Sequence, residues 1–141
     1  MTPKSILRAA NTVVKEIKVF QGERTTTVVG RAGCGKNAML MGMLCQRGAK
    51  DSVWISTEQT PLQVAPKLPK DNIVVGANDP SLESIIKAVM IALSTGRKYI
   101  FIEHMVSYRE LNVLEVLEAI VPNDVQLFIG MAANRDGSVK L

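Results

Sequence analysis

Short apolar runs rich in Val, Ile or Phe recur along the 141-residue chain, near positions 24–29, 52–57, 72–75, 98–103 and 125–130, and helical patterns separate most of them. A strand with no alternating polar face has to be covered on both sides. Parallel neighbours also need crossover connections of a dozen or more residues, which the intervening helical segments supply. The pattern therefore predicts a three-layer α/β domain, a mainly parallel five-stranded sheet flanked by helices.

The helix signals are local. Thr2 and Pro3 suit the N-cap and first position of a helix running to residue 19, with Ile6, Leu7, Ala10, Val13, Val14 and Ile17 at helical spacing and Gly22 ending the element. A second helix is expected over 38–47, where Met39, Met41 and Met43 would pack on the sheet. A third begins at Asp79-Pro80 and stops at Gly96. Ser107 and Glu110 form a capping box for a fourth, which carries Leu111, Leu114, Val116, Leu117 and Ile120 before Pro122. Residues 58–71, punctuated by proline, read as irregular, and Trp54 as core or an inter-subunit contact. The whole of 1–141 fits one domain, with an N-terminal helix over 1–19 and a core over 20–135.

Composition narrows the class. A chain that is 47% hydrophobic and 21% charged is not disordered. Its longest apolar stretch, 38–45, falls well short of the ~20 residues of a membrane span, and the N-terminus lacks a secretory apolar region, so a cytoplasmic protein without membrane contact is expected. Cys34 and Cys45 are too few for a disulfide framework or metal site and read as reduced thiols. The net charge of +4 leans toward polyanions, but the basic residues are scattered, so a solvated surface explains them as well as nucleic acid does.

One segment carries chemistry. Residues 30–37 read G-R-A-G-C-G-K-N between an apolar strand and an apolar helix. Two glycines and a lysine at this spacing arise by chance in roughly one chain of this length in twenty. The strand–loop–helix setting makes the match more specific, because backbone N–H groups at a helix N-terminus can converge on phosphate oxygens there. The loop from Gly30 through Arg31, Ala32, Gly33, Cys34, Gly35, Lys36, Asn37 and Ala38 is therefore the expected nucleotide cradle, with Lys36 reaching the β and γ phosphates. A purely structural glycine turn is the alternative. Asn37 stands where a hydroxyl residue normally meets Mg²⁺.

Ligands of open α/β sheets sit beyond the carboxyl ends of the strands, which singles out Glu58 after the second expected strand, Glu103 and His104 after the fourth, and Met131 after the fifth. One carboxylate there can orient or deprotonate a water while the other serves a metal. Glu58 and Glu103 are the candidates; His104, the sole histidine, receives no role.

On the loop, on Trp54 to Glu58 and on Tyr99 to Glu103, the chain resembles the RecA-like ATPase superfamily, which includes RecA-type recombinases, KaiC- and RadA-like proteins and DnaB-type hexameric helicases, over residues 20–135. The resemblance implies strand order 3-2-4-5-1, ATP with Mg²⁺ as ligands, Lys36 on phosphate, Glu58 as the water-activating glutamate, and Asn37 and Glu103 at the metal-organising positions. Asn37 and Glu103 depart from the usual hydroxyl and aspartate, and Met131 lies near the place of a γ-phosphate-sensing glutamine. It also implies slow or partner-stimulated ATP hydrolysis in DNA handling (recombination, helicase or packaging related), a homo-oligomer or a larger RecA-like partner, and a trans-acting arginine, Arg135 or Arg109. The alternative is a non-hydrolysing nucleotide-binding regulator or decoy that docks on a larger RecA-like ATPase.

Overall fold

The computed structural model describes residues 17–31, 34–77, 79–105 and 113–132. Six strands, β1 (Lys18–Gln21), β2 (Thr25–Gly30), β3 (Ser52–Ser56), β4 (Ile73–Gly76), β5 (Tyr99–Met105) and β6 (Gln126–Ala132), form one sheet in the order β1-β2-β6-β5-β3-β4. Four helices accompany them: α1 (Lys36–Arg47), α2 (Pro61–Val64), α3 (Leu82–Leu93) and α4 (Val113–Ile120). The five expected strands lie in the expected order and pair in parallel. Among the described residues, however, the count is six.

The additional strand corrects the reading of the N-terminal segment. Lys18–Gln21 is not a helix end but an antiparallel partner of β2, joined through a tight turn in which Gly22 N–H donates to Thr25 O at 2.8 Å. Pairing satisfies the outer backbone groups of β2, an obligation that helical periodicity alone does not reveal. The remainder of the expected first helix lies outside the described residues, as does the Ser107 capping box. Residues 58–71 are also more regular than expected. Thr60 and Gln63 form a reciprocal capping box at α2, and a 3₁₀ turn follows at Ala65–Lys67.

Alternation along the central strands divides the core between the two faces. Val53, Ile55, Ile100, Ile102, Leu127 and Ile129 pack with Ile85, Val89 and Ala92 of α3 and Leu117 of α4. Val28, Trp54, Phe101 and Phe128 point the other way, against Leu40 and Leu44 of α1 and Val64 of α2. On that second face the aromatic residues occupy one row of the register across β3, β5 and β6, with Phe101 stacked on Phe128 at 4.4 Å and Trp54 on Phe101 at 6.4 Å between centroids. The chain runs outward from β2 to β4 under α1 and α2 and then returns to β6 under α3 and α4. Reversing direction while keeping right-handed crossovers moves the covering helices to the opposite face.

Helix α1 shows which force dominates. Gly42 in its interior costs about 1 kcal/mol relative to Ala, whereas full burial of Leu40 and Leu44, one turn apart, contributes about 1.5–3 kcal/mol each.

The two ends of the sheet differ. At the amino ends, Arg97 Nη1 donates to the carbonyls of Ala49, Ser52 and Asp71 at 2.8–3.0 Å, Asn72 Nδ2 donates to Ser52 O, and Arg24 ties β2 to Asn123 and to Glu118 O. At the carboxyl end of β5 the register slips. Ile102 faces Ile129 but Met105 faces Met131, so β5 holds one extra residue around Glu103 and His104. Such a bulge re-aims side chains. Gly130 permits it, because a Cβ there would overlap the carbonyl oxygen of Glu103 and press on Leu40 Cδ1 at 3.2 Å.

One chemical change should therefore have opposite signs at two sites. Gly130→Ala is expected to lower the unfolding free energy by about 2 kcal/mol through overpacking against backbone. Gly42→Ala, where an added Cβ meets nothing within 4 Å, should raise it by about 0.5–1 kcal/mol. Urea denaturation of the two variants checks both, and equal signs would refute the packing argument.

Candidate functional site

Beyond the carboxyl ends of β5 and β6 lies a cavity of about 590 Å³, lined by Gly35, Lys36, Asn37 and Ala38 at the start of α1, by Glu58 and Gln59 after β3, and by His104 and Ala132. Its floor is built by the turn from β2 into α1. Cys34 N–H bonds back to Arg31 O at 3.2 Å, and Gly35 then takes φ 99°, ψ 18°, a left-handed conformation that a side chain would strain. That residue stands at the helix N-cap without supplying a side-chain acceptor, and the first turn holds no acidic residue. The first helical bond is Met39 N–H to Gly35 O, so the N–H groups of residues 36–38 have no partner within the helix. By contrast, α2 and α3 are capped by Thr60 and Ser81. An uncapped helix start concentrates positive potential at the cavity.

Lys36 adds a full charge to that potential. Its ammonium is half-buried and donates to the Met131 carbonyl at 3.3 Å. Burial holds its pKa below the ordinary lysine range, while Cys34 and Glu58 oppose the shift. Gly30 closes β2 and, like Arg31 and Cys34, is not among the residues lining the cavity; Ala32 and Gly33 lie outside the described residues. The sheet thus brings Lys36, Asn37, Ala38, Gly35 and Glu58 to one space. Met131 contributes only its carbonyl, since its side chain packs in the core beside Met105. Arg109 and Arg135 fall outside the described residues.

The two glutamates occupy unlike positions. The Glu58 side chain is 57% exposed, and its Oε1 lies 3.5 Å from His104 Nδ1. Burial pulls the His104 pKa below its ordinary value, Lys36 acts in the same direction, and Glu58 and Glu103 oppose it. Glu103 has no exposed surface. Its Oε1 accepts the N–H groups of Glu58 at 2.8 Å and Gln59 at 2.9 Å, and its Oε2 accepts the Trp54 indole N–H at 3.3 Å.

A nucleotide-bound Mg²⁺ needs only one or two side chains besides phosphates and waters. Among the described residues no group of three or more His, Cys, Asp or Glu is placed to hold a metal. Asn37 and Glu58 line the cavity and fit a one- or two-ligand site. Glu103, buried with its oxygens directed to three N–H donors, does not fit a ligand of an ion in that cavity.

Two residues to which sequence reasoning gave no role also belong here. His104 stands on the β5 bulge, held through its own carbonyl by Thr57 Oγ1 at 2.8 Å. Gln59 lines both this cavity and a smaller one of about 300 Å³ reaching Thr60, Pro61, Gly76 and Ala77, and its buried side-chain oxygen has no hydrogen-bond partner among the described residues. Gln59 follows the end of β3 and His104 follows the strand expected over 98–103, the positional signal that had pointed to their neighbours.

Because the half-buried Lys36 ammonium has lost solvation, replacing it should not weaken the fold. Lys36→Met is expected to leave the unfolding free energy at pH 7 unchanged or raised by up to about 1 kcal/mol. In the wild type the depressed folded-state pKa makes stability rise as pH climbs from the folded value toward the unfolded one near 10.5, a slope that the variant should lack. Denaturant titrations at several pH values check it.

Among the described residues no helix is long and apolar enough to cross a membrane. Compared with known proteins, the chain matches no family model, and no curated protein matches it. What stands is a Rossmann-like α/β fold with a mostly parallel sheet, whose cavity joins a glycine-lysine helix start to two strand exits.

Proposed function

We propose that the cavity binds the phosphates of ATP, and that the chain is a small RecA-like ATP-binding protein whose hydrolysis is slow or stimulated by a partner. The observation that carries this reading is the left-handed Gly35 followed by Lys36 at an uncapped helix start, directly after a buried strand and open to the cavity. A volume of about 590 Å³ lies within the usual 300–1,000 Å³ of small-ligand sites. The strand order, read from the β4 edge, adds support, since it is the order that the resemblance implies.

Within this proposal Lys36 meets the β and γ phosphates, and the N–H groups of the first turn of α1 surround them. Glu58, exposed at the exit of β3, is the group available to accept a proton from an attacking water, with His104 beside it. Mg²⁺, when bound with the nucleotide, would neutralise phosphate charge next to Asn37. A role in DNA handling draws on the net charge of +4 and on the resemblance. The same resemblance motivates assembly, with itself or with a larger RecA-like partner.

A second reading is favoured by a specific observation. Glu103 is fully buried and both its oxygens accept hydrogen bonds from within the chain, so the second carboxylate of a hydrolytic site is already engaged. A non-hydrolysing regulator that docks on a larger RecA-like ATPase would need only the cradle.

Calorimetry with ATP and Mg²⁺ tests the cradle. Lys36→Met should weaken binding about 10- to 100-fold, the weight of one charge-assisted contact, and unchanged affinity in the folded variant would remove the loop from any nucleotide site. Steady-state ATPase assays with and without single-stranded DNA separate the two readings. If the chain hydrolyses ATP, Glu58→Gln is expected to slow turnover about 10²- to 10⁴-fold while ATP affinity stays within about twofold. No turnover under any condition, with tight ATP binding, selects the regulator. Sedimentation with ATP completes the test, because a strict monomer would argue against self-assembly.

A further inference from the structure

We propose that Glu103 is a positioning residue whose carboxylate clamps the exit of β3, so that Glu58 and Gln59 face the cavity, and that it is not a metal ligand. The clamp is visible without any nucleotide; only its consequence for Glu58 rests on the phosphate-site reading.

Three features of the geometry point the same way. First, both carboxylate oxygens are used, and all three donors belong to β3 or to the two residues that follow its exit: the Trp54 indole and the backbone N–H groups of Glu58 and Gln59. Residues 57–59 lie beyond the last β3–β4 pair, so sheet pairing does not fix these two N–H groups. Second, the reach is matched to the gap. β3 and β5 are adjacent strands, and the carboxylate on β5 has to cross to the loop of its neighbour. The longer side chain of Glu makes that crossing, whereas Asp would end about 1.5 Å short. The extra methylene, which looks like a defect in a metal-organising carboxylate, is what a clamp requires. Third, the β5 bulge and the missing Cβ of Gly130 let the Glu103 backbone crowd β6. This places Glu103 beside Trp54 while returning Met105 to the opposite core.

The two roles rank substitutions in opposite orders. A metal ligand depends on charge, so Glu103→Asp should retain Mg²⁺ dependence and Glu103→Gln should lose it. A clamp depends on length, so Gln, whose Oε1 can still accept from the two backbone N–H groups, should outperform Asp. In Glu103→Gln the amide nitrogen would face the donor-only indole; adding Trp54→Phe removes that conflict.

The experiment measures hydrogen exchange of the Glu58 and Gln59 amides in the nucleotide-free protein, together with the Mg²⁺ concentration dependence of ATP binding. In the wild type both amides should be protected to a degree comparable with the amides of β5. Glu103→Asp should speed their exchange by about tenfold or more. Glu103→Gln combined with Trp54→Phe should keep them within about threefold of wild type, and neither change should shift the Mg²⁺ midpoint by more than about twofold. Equal or better protection in the Asp variant overturns the proposal, as does a Mg²⁺ midpoint raised about fivefold or more in the Gln variant but not in Asp. Should the variants fail to fold, the wild type alone decides: loop-like exchange at residues 58 and 59 overturns the clamp. Failure of the wild type to bind ATP refutes the phosphate-site reading, and the amide measurement still decides the clamp.

Discussion

A carboxylate removed from water destabilises a fold by several kcal/mol unless donors surround it, and β5, flanked by β6 and β3, carries one with no exposed surface. Much of the cavity end of the sheet follows from satisfying it. The indole of Trp54 has to stand on the α1 face in the same row as Phe101, the backbone after β3 has to bend inward, and β5 has to bulge against a residue without a Cβ. Each of these could be filled otherwise in isolation. Together they leave few options, because changing one strands a donor or an acceptor in the interior.

The polar contacts at the opposite end of the sheet complete the contrast. There, Arg97, Asn72 and Arg24 occupy carbonyl oxygens at the amino ends of the strands, so those turns are closed by bonds within the chain. Around the cavity, the N–H groups of residues 36–38 have no partner within α1 and Gly35 supplies no side-chain cap; among the described residues the side-chain oxygen of Gln59 has no hydrogen-bond partner, and neither has that of Asn72 at the amino ends.

The sheet was legible in the sequence because its strands are covered on both faces, which forces short apolar runs such as 99–102 and 127–130. The order of those strands came from the resemblance rather than from pattern. The edge strand was hidden, since Lys18, Val19, Phe20 and Gln21 are all exposed and carry no burial signature, while the residues before them repeat at helical spacing. Within the cavity, Lys36 and Glu58 were readable from local spacing and strand position. The surroundings of Glu103 were not. Its partners are 44, 45 and 49 residues away, and no one-dimensional signal reports that a carboxylate at a strand end turns toward a neighbouring strand instead of outward. His104 illustrates a related gap, for the slip in register that brings it to the cavity depends on a glycine on another strand.

The chain has a single tryptophan, and it is fully buried, stacked on Phe101, with its N–H ending on the carboxylate that holds residues 58 and 59. Indole emission responds to nearby charge and to the polarity of its hydrogen-bond partner. This protein therefore contains its own optical probe, two hydrogen bonds removed from the cavity wall and free of background from any second indole. Rearrangement at the exit of β3 can be followed in unlabelled material in real time, at a site where an attached dye would disturb the packing it was meant to report.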